Sequence, residues 1–288
     1  MNGARVFRRA ARVALVACVA LVGCAARTPS GLRIVSSATC HDVGAAQVVE
    51  VIDDTVLVCG DADCGVIRAC DYDGKLPLRP RRLLRLTVRG DDRISNPTGI
   101  AVIRPHFAFI GNSVSGRGEI HCVDWSRASG ADSLEDAWLR VIRDDLSKGG
   151  TRPERIRFHG ETAIATADYA DRSQIRIYNE TALASAKRTS DAGVLIASFD
   201  APGWIQNLYW LEDSGRLLLV QNSREGLGWR LTLANLEATP PTFRDVPISG
   251  APDDELKGAA RLPDGRWLFI TSSPSDNAWL AETAWENH

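Results

Sequence analysis

Four aspartates, one Cys-His-Asp triplet and a few aromatic side chains carry most of the groups in this chain that could do chemistry. Asp42, Asp61, Asp63 and Asp168 are hard oxygen donors, and gathered at one point they would suit Ca²⁺. The local sequence "DADCG" at 61–65 is not a dedicated calcium loop. The expectation is therefore no metal and no cofactor, with calcium as the one ion the donor set would take. Cys40, His41, Cys59 and Cys64 are zinc-type ligands, yet the paired Cys-x-x-Cys spacing of a structural zinc site is missing. A disulfide among Cys40, Cys59 and Cys64 is the stronger expectation, and the pairing stays open. Trp204, Tyr169 and Trp229, with Asn and Asp nearby, could offer ring faces to a sugar. His106, His121, His159 and His288 form no recognisable triad with a serine, and "NSVSG" at 112–116 is not Gly-x-Ser-x-Gly. No residue is assigned a catalytic role.

The elements that must position these residues repeat along the chain. "TVLVCGD" (55–61), "FAFIGNS" (107–113), "TAIATAD" (162–168), "LLLVQNS" (217–223) and "WLFITSS" (267–273) are apolar strands ending in small and polar residues, spaced by 50–55 residues. Each is preceded by a short strand and followed by a polar turn and another strand. Fourth-strand candidates such as "RLLRLTV" and "GVLIASF" fall between units. Four antiparallel strands repeating at this interval predict an all-β chain folded as a β-propeller. The fifth unit lacks a fourth strand, and "GLRIVSS" (31–37) is a strand without a unit. Ring closure by 31–37 solves both problems and removes exposed strand edges. Five four-stranded blades are expected, with a degenerate sixth as the alternative count.

In such a ring the loops from fourth to first strand and from second to third gather on one face. That rim collects His41, Asp42, Asp61, Asn112, Asp168, Tyr169, Arg172, Trp204, Asn222 and Arg224. These are the candidate ligand-binding residues, since loops on a rigid scaffold commonly carry function.

The first 23 residues read as an export signal: Arg5, Arg8, Arg9 and Arg12, then an apolar run from Val13 to Val22, then small residues. That run is shorter than the roughly 20 apolar residues a membrane-spanning helix needs. The stretch Leu21-Val22-Gly23-Cys24 resembles the lipobox of bacterial lipoproteins. The resemblance implies acylation of Cys24, cleavage before it, and attachment to the membrane through lipid. Ala25 in place of Asp implies sorting to the outer membrane, facing the periplasm. The domain expectation is a signal peptide over 1–23, a lipidated linker over 24–30 and the propeller over 31–288. Residues 1–23 carry four arginines and no acidic residue, so their removal moves the formal net charge from −2 to −6. That balance disfavours a nucleic-acid partner, which needs clustered positive charge.

"NPTGIAVI" (96–103) and "LPDGRWLFIT" (262–271) resemble blade segments of the NHL and SMP-30/gluconolactonase-like propellers. The resemblance implies the fold over most of 31–285. It does not fix an activity, because such folds host many. The metal site of the SMP-30-like enzymes uses an early glutamate, and no acidic residue precedes Asp42 here. The leading expectation is a lipid-anchored binding or scaffolding module for a protein partner or a small polar ligand. The alternative is a lactonase- or glycosidase-type hydrolase using rim carboxylates.

Overall fold

The computed structural model describes residues 31–103 and 106–283. The arginine-rich segment, the Leu21–Cys24 stretch and the linker lie outside the described residues.

The chain opens with β1 (Leu32–Ala38). Blade 1 follows as β2 (Ala46–Ile52), β3 (Thr55–Gly60), β4 (Val66–Asp71) and β5 (Arg79–Arg85). A small ribbon, β6 (Thr87–Val88) with β7 (Asp91–Asp92), leads into blade 2. That blade is β8 (Pro97–Ile103), β9 (Phe107–Val114), β10 (Arg117–Asp124) and β11 (Trp138–Asp144), with helix α1 (Trp125–Ala128) before its last strand. Blade 3 is β12 (Glu154–Phe158), β13 (Glu161–Ala167), β14 (Arg172–Asn179) and β15 (Leu195–Pro202), with α2 (Glu180–Ser185) in the same place. Blade 4 is β16 (Ile205–Leu211), β17 (Arg216–Arg224), β18 (Leu227–Asn235) and β19 (Thr242–Val246). β20 (Ile248–Ser249), β21 (Leu256–Arg261), β22 (Trp267–Thr271) and β23 (Ala278–Thr283) complete the order.

The protein is a five-bladed β-propeller. Blades 1 to 4 are antiparallel four-stranded sheets, and the last sheet runs β20-β1-β23-β22-β21. The ring closes as the sequence predicts. β1 pairs antiparallel with β23, from Leu32 opposite Thr283 to Ala38 opposite Ala278. A fifth strand was not foreseen: β20 adds in parallel to the outer side of β1, with Leu32 opposite Ile248.

The apolar runs of the second strands follow from this packing. Both faces of a blade are buried against neighbours, and successive side chains point to opposite faces. In β3, Val56 and Val58 enter the cluster between blades 5 and 1, while Leu57 and Cys59 enter the one between blades 1 and 2. In β17, Leu218 and Val220 face blade 5, while Leu217 and Leu219 face blade 3. The remaining seam, between blades 2 and 3, centres on Phe109, Ile164 and Tyr178. Five seams for five blades place the hydrophobic core around the ring and leave polar residues on its axis. Among the described residues no helix is long and apolar enough to cross a membrane.

Candidate functional site

The rim forms as expected, but the structure divides its candidate residues into two groups. The first group ties loops down. Asp61 Oδ1 accepts from the Ala45 amide at 2.8 Å, Asn112 Oδ1 from Asn96 at 3.0 Å, Asp168 Oδ1 from Lys148 at 2.8 Å and Asn222 Oδ1 from Leu256 at 3.0 Å. Asp61 and Asp168 stand just past the end of their blade's second strand, Asn112 and Asn222 two residues before it, and each fixes a loop between blades. Blade 5 does the same with Asn277, which accepts from the Cys40 amide at 2.7 Å and donates to its carbonyl. The polar endings of four repeats, and Asn277 just before β23 in the fifth, thus satisfy backbone groups that a tight ring would otherwise strand. Asp168 goes further: Arg176 grips both its oxygens, at 2.7 and 3.1 Å, with both side chains almost fully buried.

Asp42, at φ +61°, has an exposed carboxylate ion-paired with Arg68 at 2.7 Å; His41 beside it is exposed. The four aspartates considered for calcium therefore do not converge. Among the described residues no three His, Cys, Asp or Glu side chains gather into a metal-binding group. The cysteines at 40, 59, 64, 70 and 122 are all thiols. Cys59 and Cys40 lie in the seams on opposite sides of blade 1, which separates two of the disulfide candidates. Cys64 sits half exposed in the turn between β3 and β4, directed at the Gly65 carbonyl.

The second group forms a shelf at the mouth of the channel. Gly203 lets the loop into blade 4 lie flat on the turn of blade 3, because a Cβ there would meet the Asp171 carbonyl oxygen at 2.0 Å. The Trp204 amide donates to the Ala170 carbonyl at 2.7 Å, and its own carbonyl accepts from Asn222 at 3.0 Å. The tryptophan is held at φ +59°, a left-handed backbone costly for a bulky residue. Its half-buried ring meets Tyr169 edge to face at 5.2 Å. The Tyr169 hydroxyl accepts from the Gly226 amide, and the Arg152 guanidinium lies 5.4 Å from the Tyr169 ring centre. Arg172 and Arg224 stand exposed around the shelf, with Arg224 3.8 Å from Asp253. Trp229 is not part of it. That ring packs at 5.3 Å on Phe269 and 6.2 Å from Trp279, in the seam between blades 4 and 5.

Several groups at the mouth escaped the sequence reading. Arg152 is buried and donates to the Gln206 and Ala167 carbonyls. Burial lowers its pKa to about 10 against the pull of Asp168, so it stays a cation at neutral pH. Gln206 donates to Glu255 at 2.7 Å, and Lys257 pairs with the same oxygen at 2.9 Å. Burial depresses the Lys257 ammonium and the Glu255 charge holds it up. Gln206 and Lys257 fall where the pairing of the innermost strand shifts register, as do Gln47 and Thr98. A polar residue at the second position of an otherwise apolar first strand, repeated in four units, was the available signal.

At the opposite mouth a cavity of about 480 Å³ is lined by Glu50, Ile100, Glu154, Arg157, Tyr209 and Trp210, among others. Glu154 accepts from the Trp210 amide at 2.9 Å. Burial, reinforced by the nearby charge of Glu50, raises its pKa well above the carboxylate range.

No protein-family profile matches the chain, and no curated protein matches it. Solved structures do, at low identity. A GH43 glycoside hydrolase engineered for endo-xylanase and exo-arabinofuranosidase activity is 9% identical with a TM-score of 0.50, over 85% of this chain and 51% of that one. Hydrazine synthase of Kuenenia stuttgartiensis is 12% identical, TM-score 0.45, over 78% of this chain and 61% of that one. The WD40 propeller domain of Doa1 is 8% identical, TM-score 0.45, over 89% and 99%. The chain thus spans about half to three fifths of the length of the first two. At these identities the likeness is one of fold.

Proposed function

We propose that this chain is a lipid-anchored, non-enzymatic binding propeller whose loop face holds a small polar ligand of carbohydrate type. The observation that carries the reading is Trp204, a bulky residue kept in a left-handed backbone with its ring half exposed beside Tyr169. Backbone strain of this kind costs about 1–3 kcal/mol and concentrates at ligand clamps. An aromatic face bordered by Arg152, Arg172 and Arg224 suits a sugar ring with hydroxyl or acidic substituents. The rim carboxylates point the same way: Asp168 is spent on Arg176, and Glu255 is shared by Gln206, Lys257 and Ser272. Neither is free to act as acid or base.

Trp204→Gly separates binding from folding. Glycine relieves the left-handed strain while removing the ring, so thermal stability should stay within about 1 kcal/mol of wild type. Loss of a binding hot spot of about 2 kcal/mol should weaken a bound sugar about 30-fold. Titration calorimetry against a panel of neutral and acidic oligosaccharides reads both variants. Equal affinity in the two would remove the shelf from the proposal. Binding of no sugar would leave a protein partner on this face. Turnover of aryl glycosides or lactones that disappears in Glu154→Gln would put a hydrolase at the other mouth in its place.

The anchor is read from the Leu21–Cys24 stretch, and Ala25 after it favours sorting to the outer membrane, facing the periplasm. Cys24→Ser is expected to abolish fatty-acid labelling in cells and to leave the precursor uncut at this site. Equal label on wild type and variant would refute it.

A further inference from the structure

Cys40 and Cys70, 30 residues apart in the chain, come into one buried cluster. Cys40 follows β1 on the loop into blade 1, and Cys70 lies in β4 facing the same seam between blades 5 and 1. Both are buried in one apolar cluster, and each thiol is the strongest influence on the other's protonation, which puts the two side by side. Asn277 pins the Cys40 backbone through both its amide and its carbonyl. Arg68, two residues before Cys70, reaches across to Asp42, two residues after Cys40, at 2.7 Å. We propose that Cys40 and Cys70 form a disulfide that staples the closing strand of the ring to blade 1.

Cys40 sits on the 39–45 loop that joins the closing strand to blade 1, so its thiol is the one presented to solvent while that loop is unseated, and it is the attacking thiolate. It attacks the disulfide of an oxidant, glutathione disulfide or a disulfide oxidoreductase, and expels one thiolate. Cys70 then gives up its proton, attacks Cys40 Sγ in the mixed disulfide and expels the second. One Sγ–Sγ bond forms, the oxidant's S–S bond breaks, and two electrons and two protons end on its two thiols. Cys70 is buried, so exchange takes place before the 39–45 loop is fully seated. In that order the bond constrains a loop of about 30 residues in the unfolded chain. The partner choice is set by the two faces of blade 1: Cys59 points into the other seam, and Cys64 stands in the turn beyond it. Persistence of the bond in the cell rests on the export proposed above. Its formation in vitro does not, so the two can fail separately.

The test is peptide mapping of the full chain after incubation with glutathione disulfide and alkylation of free thiols. Trypsin with a glutamyl endopeptidase cuts after Arg33, Glu50, Arg68 and Lys75. Cys40 is then in 34–50, Cys59 and Cys64 in 51–68, and Cys70 in 69–75. The expected product is 34–50 joined to 69–75, two hydrogens lighter than the separate peptides, with 51–68 alkylated twice. A link from 34–50 to 51–68, or alkylation of both Cys40 and Cys70, overturns the proposal. A second measurement guards against an incidental crosslink. Reduction should lower the melting midpoint of the oxidised wild type by about 5–10 °C and leave Cys70→Ser unchanged. An equal drop in both, or none in either, would show that the staple does not hold the ring.

Discussion

Deletion of residues 31–37 is expected to abolish cooperative unfolding at the wild-type temperature. β1 supplies the strand that completes blade 5, and its loss leaves β23 with an open edge along the register from Leu32–Thr283 to Ser37–Trp279. It also strands β20, which pairs with β1. Leu32 is 1% exposed in the seam between blades 4 and 5, where it packs near Leu231, Val246 and Ala281. Burial of one such side chain stabilises by about 1.5–3 kcal/mol, against a typical total of 5–15 kcal/mol. Ile34 adds a part-buried contact. Val35, though apolar, is 37% exposed, because the pairing slips between Ile34 and Ser36. The milder Leu32→Ala keeps the ladder and should cost about 2–5 kcal/mol, whereas Val35→Ala should lie within about 0.5 kcal/mol of wild type. Calorimetric melting reads all three. A deletion variant with unchanged midpoint and cooperativity would reduce β1 to a tether.

The same strand shows what the sequence can and cannot convey. Blade number, strand order and closure were legible because each follows from a repeated pattern and from counting strands. An apolar run such as Thr55–Gly60 must be buried on both faces, and only a radial stack provides that for five units. The slip at Val35 was not legible, since a bulge changes which face a side chain occupies without altering composition. The candidate site shows the same division. Tyr169 and Trp204 fall on one face because the turn from second to third strand and the loop from fourth to first strand gather at the same end of a blade. Asp61, Asn112, Asp168 and Asn222 fall within one position of each other in the repeat for another reason, the need of these blades to fasten a loop. A repeated polar residue is ambiguous between ligand and fastener until its hydrogen-bond partner is known. Glu154, with its carboxyl buried at the far mouth, gave no sign at all, since a glutamate opening a short strand looks like a solvated turn.

Asp168 gives the sharpest test of that distinction. If it is a fastener, Asp168→Ala removes the partner of a buried Arg176 and the acceptor for Lys148 and Ser147. An uncompensated buried charge of this kind costs about 3–5 kcal/mol, a large share of the total. Asp168→Asn keeps the shape and the acceptor for the Lys148 amide but not the charge, and should cost less. The decisive variant is Arg176→Met on the Asp168→Leu background, which removes both charges while retaining apolar volume. It should recover the part of the loss that comes from the stranded charge, because an apolar pair can replace a buried ion pair at little cost, while the Lys148 amide and Ser147 hydroxyl stay without their acceptor. The double-mutant cycle, measured by denaturant unfolding, should therefore show strong coupling between the two positions. On the carbohydrate reading proposed above, binding at the Tyr169–Trp204 shelf should track loop integrity, falling in Asp168→Ala and in the double variant and holding best in Asp168→Asn, which keeps the acceptor for Lys148. A catalytic or ligand-holding carboxylate would behave otherwise. Its loss would leave stability within about 1 kcal/mol, abolish function in every variant, and resist rescue by an apolar pair. That outcome would move Asp168 back from the framework to the site.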